Sequence, residues 1–335
     1  RKMCATMNPL DTAQVGTTTL NVTRLGLGGA PLGGLFTDVE IQTALSTVAR
    51  GHELGIRYFD TAPLYGHGKS ETYFGQALQA FPRDQLVLSS KVGRVLNPVE
   101  KQPDTDTSAA LPPFEAVFDF SRDGVLRSLE ESFARLGLDH IDIAFIHDPD
   151  DHHDQAINEA FPALADLRSQ GVISAIGAGM NQWEALSEFA REGDFDCFLL
   201  AGRYTLLDHS GLADLLPLCE EKQISIMLGG PYNSGILASD LQPGTTYFYQ
   251  EAPAEVLDKA RQIKAVCDRH NVPLKAAALQ FGLAHPAVAA TIPGARSPLE
   301  VEDNIEMASH PIPVDLWAEL RHEGFLPEHA PVPTG

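Results

Sequence analysis

The feature that most constrains this chain is an alternation. Eight short β-like runs occur at Thr23–Ala30, Ile56–Asp60, Leu86–Lys91, Ile141–His147, Ile173–Ala178, Phe195–Ala201, Ile224–Leu228 and Ala287–Ile292, and helical periodicity follows each of them. Strands that alternate with helices pair in parallel, and eight such units close into an α/β fold, the (β/α)8 TIM barrel. The helices are well marked. Asp38–Leu54 and Arg122–Leu136 repeat apolar residues every three or four positions. Asp154–Ser169 stops at Gly171, Pro253–Arg269 opens on proline, and Pro273 restarts a helix to about Leu283. Ser297 caps a late helix with acids in its first turn. A doubly wound sheet is the rival fold, and it wants Gly-x-Gly-x-x-Gly after the first strand. Gly26-Leu-Gly-Gly29 and Gly33-Gly34 miss that spacing.

A length of 335 residues suits one barrel, and neither a repeat nor a linker divides it. We expect residues 1–22 as an N-terminal tail, 23–325 as the barrel and 326–335 as a C-terminal tail. Three segments read as irregular: Asn97–Phe118, Asp148–Asp154 and Gly229–Tyr249. They follow the third, fourth and seventh strands, so they are the expected substrate walls.

Asp and Glu number 45 against 24 Lys and Arg, a net charge of −21. That balance argues against nucleic acid and anionic membrane surfaces as partners. No apolar stretch is long enough to cross a bilayer, and the first ten residues carry no apolar signal core. Cys4, Cys197, Cys219 and Cys267 form no CxxC pair, so we expect unpaired thiols in a reducing cytoplasm. The expected partner is a small sugar-like molecule, and the expected state is a monomer or small homo-oligomer.

Three of the runs end in chemistry. Arg57-Tyr-Phe-Asp60 ends in an acid, Leu86-Val-Leu-Ser-Ser-Lys91 in a base and Ile141-Asp-Ile-Ala-Phe-Ile-His147 in an imidazole. The carboxyl ends of barrel strands share one face, so these groups meet there with Tyr65 from the loop after Asp60. A free phenol has a pKa near 10. An ammonium beside it, from Lys91, lowers that value, and Asp60 can hold the ammonium in place. His147 can bond a substrate oxygen. The set suits general acid/base work beside a hydride carrier. Taken singly, each residue has a plain structural reading as a turn cap, packing or a solvated charge; their joint position at strand ends favours catalysis. The run Asp148-Pro-Asp-Asp-His-His-Asp154 is rich in metal-binding types, but adjacent residues cannot all face one ion, and we expect no metal.

Asp60-Thr-Ala-Pro-Leu-Tyr65-Gly, Ser90-Lys91-Val, Ile146-His147 and Ile292-Pro-Gly-Ala-Arg296 together resemble the aldo-keto reductase superfamily, from about Thr23 to Asn304. Gly177-Ala-Gly-Met-Asn-Gln182, Ala201-Gly-Arg-Tyr-Thr-Leu-Leu-Asp208 and Gly230-Pro-Tyr-Asn-Ser-Gly-Ile-Leu237 are similar to its aldose 1-dehydrogenase branch, which includes L-fucose, D-threo-aldose, L-galactose and pyridoxal dehydrogenases. The resemblance implies a barrel that binds a nicotinamide nucleotide, with Tyr65 as proton donor or acceptor, Lys91 and Asp60 tuning it, and His147 orienting the substrate.

The pattern departs in the carboxamide pocket. Gly179-Met180 stands where many members carry Ser-Asn, with Asn181 one place later. Ala201 stands where a glutamine is expected, leaving Arg203 or Tyr204 to fill the space. Gly229 replaces a stacking tyrosine, leaving Tyr232 from the next loop. By the same resemblance Gly230, Ser234 and Gly235 face the pyrophosphate, and Gly294, Arg296, Glu300, Asp303 and Asn304 hold the adenosine half. Members that use NADP usually carry Arg at the position of Glu300 and often Lys at that of Gly294. A carboxylate repels a 2′-phosphate and accepts a bond from a free 2′-hydroxyl, so the expected cofactor is NAD rather than NADP. Arg296 argues the other way. The expected reaction is oxidation of an aldose at C1 to a lactone. The alternatives are an NADP-linked carbonyl reductase, a pyridoxal dehydrogenase and a non-catalytic cofactor-binding subunit.

Overall fold

The computed structural model describes residues 4–5, 7–100 and 111–334. Eight strands form one parallel sheet: β1 (Leu27–Gly28), β2 (Tyr58–Asp60), β3 (Val87–Val92), β4 (Ile143–His147), β5 (Ala175–Met180), β6 (Cys197–Ala201), β7 (Ser225–Gly229) and β8 (Val288–Ile292). Neighbours pair in chain order, and bridges from Leu25 to Thr291 and from Gly28 to Gly294 bring β8 back against β1. The result is a nearly closed (β/α)8 barrel. These strands are buried along almost their whole length, as a parallel sheet covered on both faces requires.

The helices are α1 (Ile41–Glu53), α2 (Lys69–Leu78), α3 (Arg122–Leu136), α4 (Phe161–Ser169), α5 (Trp183–Glu192), α6 (Leu215–Lys222), α7 (Ala254–Arg269), α8 (Leu274–Leu283), α9 (Pro298–Ser309) and α10 (Val314–His322). Their ends follow the local chemistry. Ser121 accepts from Gly124 N at the start of α3, and left-handed Gly137 closes it. Ser297 accepts from Glu300 N at the start of α9. Among the described residues no helix is long and apolar enough to cross a membrane.

The barrel lumen is packed with Tyr58, Ile143, Phe145, Cys197, Leu199 and Met227. It is tight enough that a Cβ on Gly177 would stand 2.4 Å from the Phe145 ring. The tail expected at residues 1–22 needs correction. Thr12–Gln14 and Asn21–Thr23 form an antiparallel hairpin whose Val15 and Val22 are fully buried in that lumen cluster, so the segment plugs the barrel floor. At the other terminus Leu326 and Ala330 are buried and Arg321 bonds the Ala330 carbonyl, so residues 326–330 also pack on the body. The expected irregular segment after β3 is in part a hairpin of Arg94–Pro98 with Phe114–Phe118; its residues 101–110 lie outside those described, as do 1–3, 6 and 335.

Candidate active site

Asp60 ends β2, Lys91 is the penultimate residue of β3 and His147 ends β4, so three neighbouring strands deliver them to one rim. Tyr65 sits in the turn between β2 and α2. That turn is pinned. Thr61 Oγ and Ser70 Oγ are 2.8 Å apart, and Ser70 donates to the Gly29 carbonyl at 2.9 Å. Gly66 is left-handed at φ 65°, and a Cβ there would stand 2.2 Å from the Gly33 carbonyl, so only glycine lets the β1 loop close against Tyr65.

The four groups converge. Lys91 Nζ donates to both Asp60 oxygens, at 2.9 and 3.0 Å, and to the Thr61 carbonyl at 2.8 Å. Ser89 Oγ donates to Asp60 at 2.7 Å. The ammonium lies 4.6 Å from the Tyr65 ring centroid. The His147 ring stands edge-on to Tyr65 at 6.0 Å. A further brace comes from Glu71, fully buried, which takes Ser90 Oγ at 2.6 Å and Arg135 Nε at 2.6 Å. It ties α2 and α3 to the strand that carries Lys91. The Glu71 partner lies 64 residues away, and no local pattern announces it.

Burial pushes the Tyr65 phenol up to about 12, with Lys91 pulling against it. The expected downward pull of Lys91 is present, but desolvation outweighs it, so the phenol is protonated at neutral pH. Lys91 is itself buried, which alone would lower it, yet Asp60 and Tyr65 hold it above its ordinary value. It remains an ammonium. His147 is held well below its ordinary value by burial and then by Lys91 and Arg94, so its imidazole is neutral.

A cavity of about 550 Å³ opens beside Tyr65 and runs along the carboxyl ends of β5 to β8. Asp60, Tyr65 and Asn181 line one end; Arg296, Glu300 and Asn304 line the other; the Gly229–Gly235 turn lies between. Asn181 Nδ2 donates to the Ala201 carbonyl at 2.7 Å and so stays at the rim. Asn233 and Ser234 are both left-handed, at φ 47° and 60°, which turns the backbone sharply over the cavity. Gly230, Tyr232, Ser234, Gly235 and Gly294 line it. Arg296 is engaged by Glu300 through its side chain at 2.8 Å and its backbone N–H at 2.8 Å. A Cβ on Gly294 would stand 2.4 Å from Pro31, so no lysine fits there without rearrangement.

Three expectations need correction. Tyr204 does not line the cavity: after the left-handed bend at Gly202 its ring turns inward, 5.0 Å from Phe281. Asp303 points to Lys275 rather than into the cavity. Tyr232 is not beside Tyr65, because its hydroxyl donates to Asn304 at 2.7 Å at the far end. Phe248 and Tyr249 line it from the expected Gly229–Tyr249 wall, while Pro31, Phe36 and Lys275 are wall residues not foreseen; Phe36 and Tyr249 stack at 5.9 Å across the rim. In the Asp148–Asp154 run the side chains diverge. Asp148 pairs with Arg94, Asp150 accepts from Gln182, His152 packs at a tilt against Phe118 and His153 meets Glu192. Among the described residues no group of three His, Cys, Asp or Glu is placed to hold a metal.

The model of the aldo/keto reductase family matches residues 24–322. A D-threo-aldose 1-dehydrogenase from a Pseudomonas species is 41% identical, over 92% of this chain and 96% of its own. A pyridoxal 4-dehydrogenase from Microbacterium luteolum is 39% identical, over 93% of this chain and 97% of its own. The holo form of an aldo-keto reductase from Bacillus halodurans superposes with a TM-score of 0.74 at 25% identity, covering 93% of this chain and 95% of that one. The match spans the whole set Asp60, Tyr65, Lys91 and His147 and the full length of the cavity.

Proposed function

The chain belongs to the aldo/keto reductase family, and we propose that within it the protein is a NAD-dependent dehydrogenase that oxidises the C1 hydroxyl of a small aldose to a lactone. The observation that carries this reading is the buried Asp60–Lys91 pair under the Tyr65 ring, next to a neutral His147, at the head of a long cavity. The family uses a nicotinamide cofactor, which when bound accepts the hydride from C1. Tyr65 and Asn181 would face its reactive ring, Gly230–Gly235 would hold its pyrophosphate, and Arg296, Glu300 and Asn304 would hold its adenosine.

The protein's own work is proton transfer and positioning. A neutral imidazole donates to the C1 oxygen without repelling Lys91. Tyr65 takes the hydroxyl proton, and the Lys91 ammonium, held by Asp60, stabilises the phenolate that results. Because burial raises that phenol, oxidation gains rate as pH rises. For the cofactor, Glu300 occupies Arg296 and leaves a carboxylate at the ribose end, and Gly294 has no room for a lysine. Both favour a free 2′-hydroxyl over a 2′-phosphate. The buried free thiols Cys197, Cys219 and Cys267 fit a reducing cytoplasm. A monomer or small homo-oligomer is the expected state.

The test is NADH or NADPH formation with L-fucose, D-arabinose and pyridoxal, using NAD and NADP in turn. Aldose turnover with NAD supports the reading. Turnover of pyridoxal alone favours the second reading, for which the 39% identical relative speaks. Tyr65→Phe separates enzyme from binding module: turnover falls while cofactor affinity stays. An unchanged rate refutes the role of Tyr65.

A further inference from the structure

Asp148 follows His147 directly and is left-handed, at φ 46°. Even for aspartate that backbone is uncommon, and strain of this kind gathers at working sites. Its N–H donates to the Gly179 carbonyl at 2.9 Å, which prolongs the β4–β5 pairing. Its carboxylate takes Arg94 Nη2 at 2.7 Å and lies 3.7 Å from His147 Nε2. Arg94, three residues after Lys91, spreads its guanidinium 4.0 Å over the Phe118 ring. Both charged side chains are part-open, at 22% and 31% exposure, so a ligand can reach them. Burial nevertheless holds the Asp148 carboxyl above its ordinary value despite Arg94.

We propose that the Arg94–Asp148 pair is the substrate-selecting element: it binds the hydroxyl next to the reacting C1 oxygen and so selects aldoses that carry an oxygen at C2. This rests on the aldose reading above. The chemistry is complementary. A sugar hydroxyl donates to the carboxylate and accepts from the guanidinium, so a fixed acid–base pair takes one hydroxyl through both of its functions. The short gap between the Asp148 carboxylate and His147 is bridged by neighbouring oxygens on one ring. Phe118, 45% exposed beside Arg94, offers apolar surface for the C–H side of that ring. A substrate lacking the C2 hydroxyl covers the pair without bonding to either member, and a site built to bond a hydroxyl rejects the analogue that lacks it.

The experiment compares D-arabinose with 2-deoxy-D-ribose, and L-fucose with 2-deoxy-L-fucose, in the wild type, Asp148→Asn and Arg94→Met. Asparagine tolerates the left-handed backbone, so the first variant keeps the turn. A hydrogen bond to a charged group corresponds to about 10- to 100-fold in affinity. We expect each variant to lose about that factor in kcat/KM on the full sugars, mostly through KM, and less than about threefold on the deoxy sugars. Equal loss on both sugar types in both variants overturns the proposal while leaving the aldose reading intact. Wild-type turnover of pyridoxal with none of any aldose overturns both. Cofactor affinity, measured by quenching of protein fluorescence, reports folding; should Asp148→Asn lose it, Arg94→Met decides alone.

Discussion

Replacing Lys91 by methionine keeps the stem and removes the ammonium. In the wild type Nζ stands 4.6 Å from the Tyr65 ring centroid. A unit charge at that distance from a phenolate, at an effective dielectric of about 20, is worth ~3.6 kcal/mol. At about 1.36 kcal/mol per factor of ten, this is between two and three orders of magnitude in phenolate population. The Asp60 carboxylate stays behind and itself raises the phenol, so the loss is no smaller. We predict that kcat for aldose oxidation at neutral pH falls by ~100- to 1000-fold, that KM and cofactor affinity hold, and that the rate–pH profile moves to the alkaline side. The lone buried Asp60 also costs about 3–5 kcal/mol of stability. The double variant Lys91→Met/Asp60→Asn separates the two effects, recovering stability without recovering turnover. The assay is steady-state kcat across neutral to alkaline pH, beside urea unfolding. Turnover within about threefold of wild type, or an unmoved pH profile, refutes the electrostatic role of Lys91.

Glu300→Arg frees Arg296 and adds a cation, so the ratio of kcat/KM with NADP to that with NAD is expected to rise about tenfold or more; an unchanged ratio sinks the argument from Glu300. Glu71→Leu leaves Arg135 and Ser90 without their buried acceptor, and urea unfolding is expected to show a loss of about 3–5 kcal/mol. A loss below about 1 kcal/mol would mean that the brace is not structural. His209 is held down at about 4 by burial and then by Lys259. A histidine lowered in the fold binds its proton more readily in the unfolded chain, so its stability contribution is whole above about 6.5 and is lost as pH falls. Near pH 5 the cost is about 2 kcal/mol, and His209→Gln should flatten that arm of the stability curve; an equally steep fall in the variant would acquit His209.

Much of the site was legible because barrel geometry converts sequence position into spatial position. A residue at the carboxyl end of a strand run lies on the active rim, so Asp60, Lys91 and His147 are found by counting along the chain, and Tyr65 by its offset from Asp60. The helix start at Ser297 is legible for a similar reason, since a cap acts within one turn. The floor hairpin escaped because strands of three residues show no periodicity, and Val15 and Val22 are its two residues fully buried in the lumen cluster.

What the sequence determined by itself is therefore the periodic part: eight parallel units, their order, and which residue types stand at the strand ends. What only the tertiary structure decided depends on rotation and solvent exclusion. The bend at Gly202 turns Tyr204 into the core, and burial rather than Lys91 sets the direction of the Tyr65 phenol. Glu71 meets Arg135, and Arg94 meets Asp148, only after separate βα units close side by side. Desolvation and pairing across units arise from the packed whole, and no local run of residues carries them.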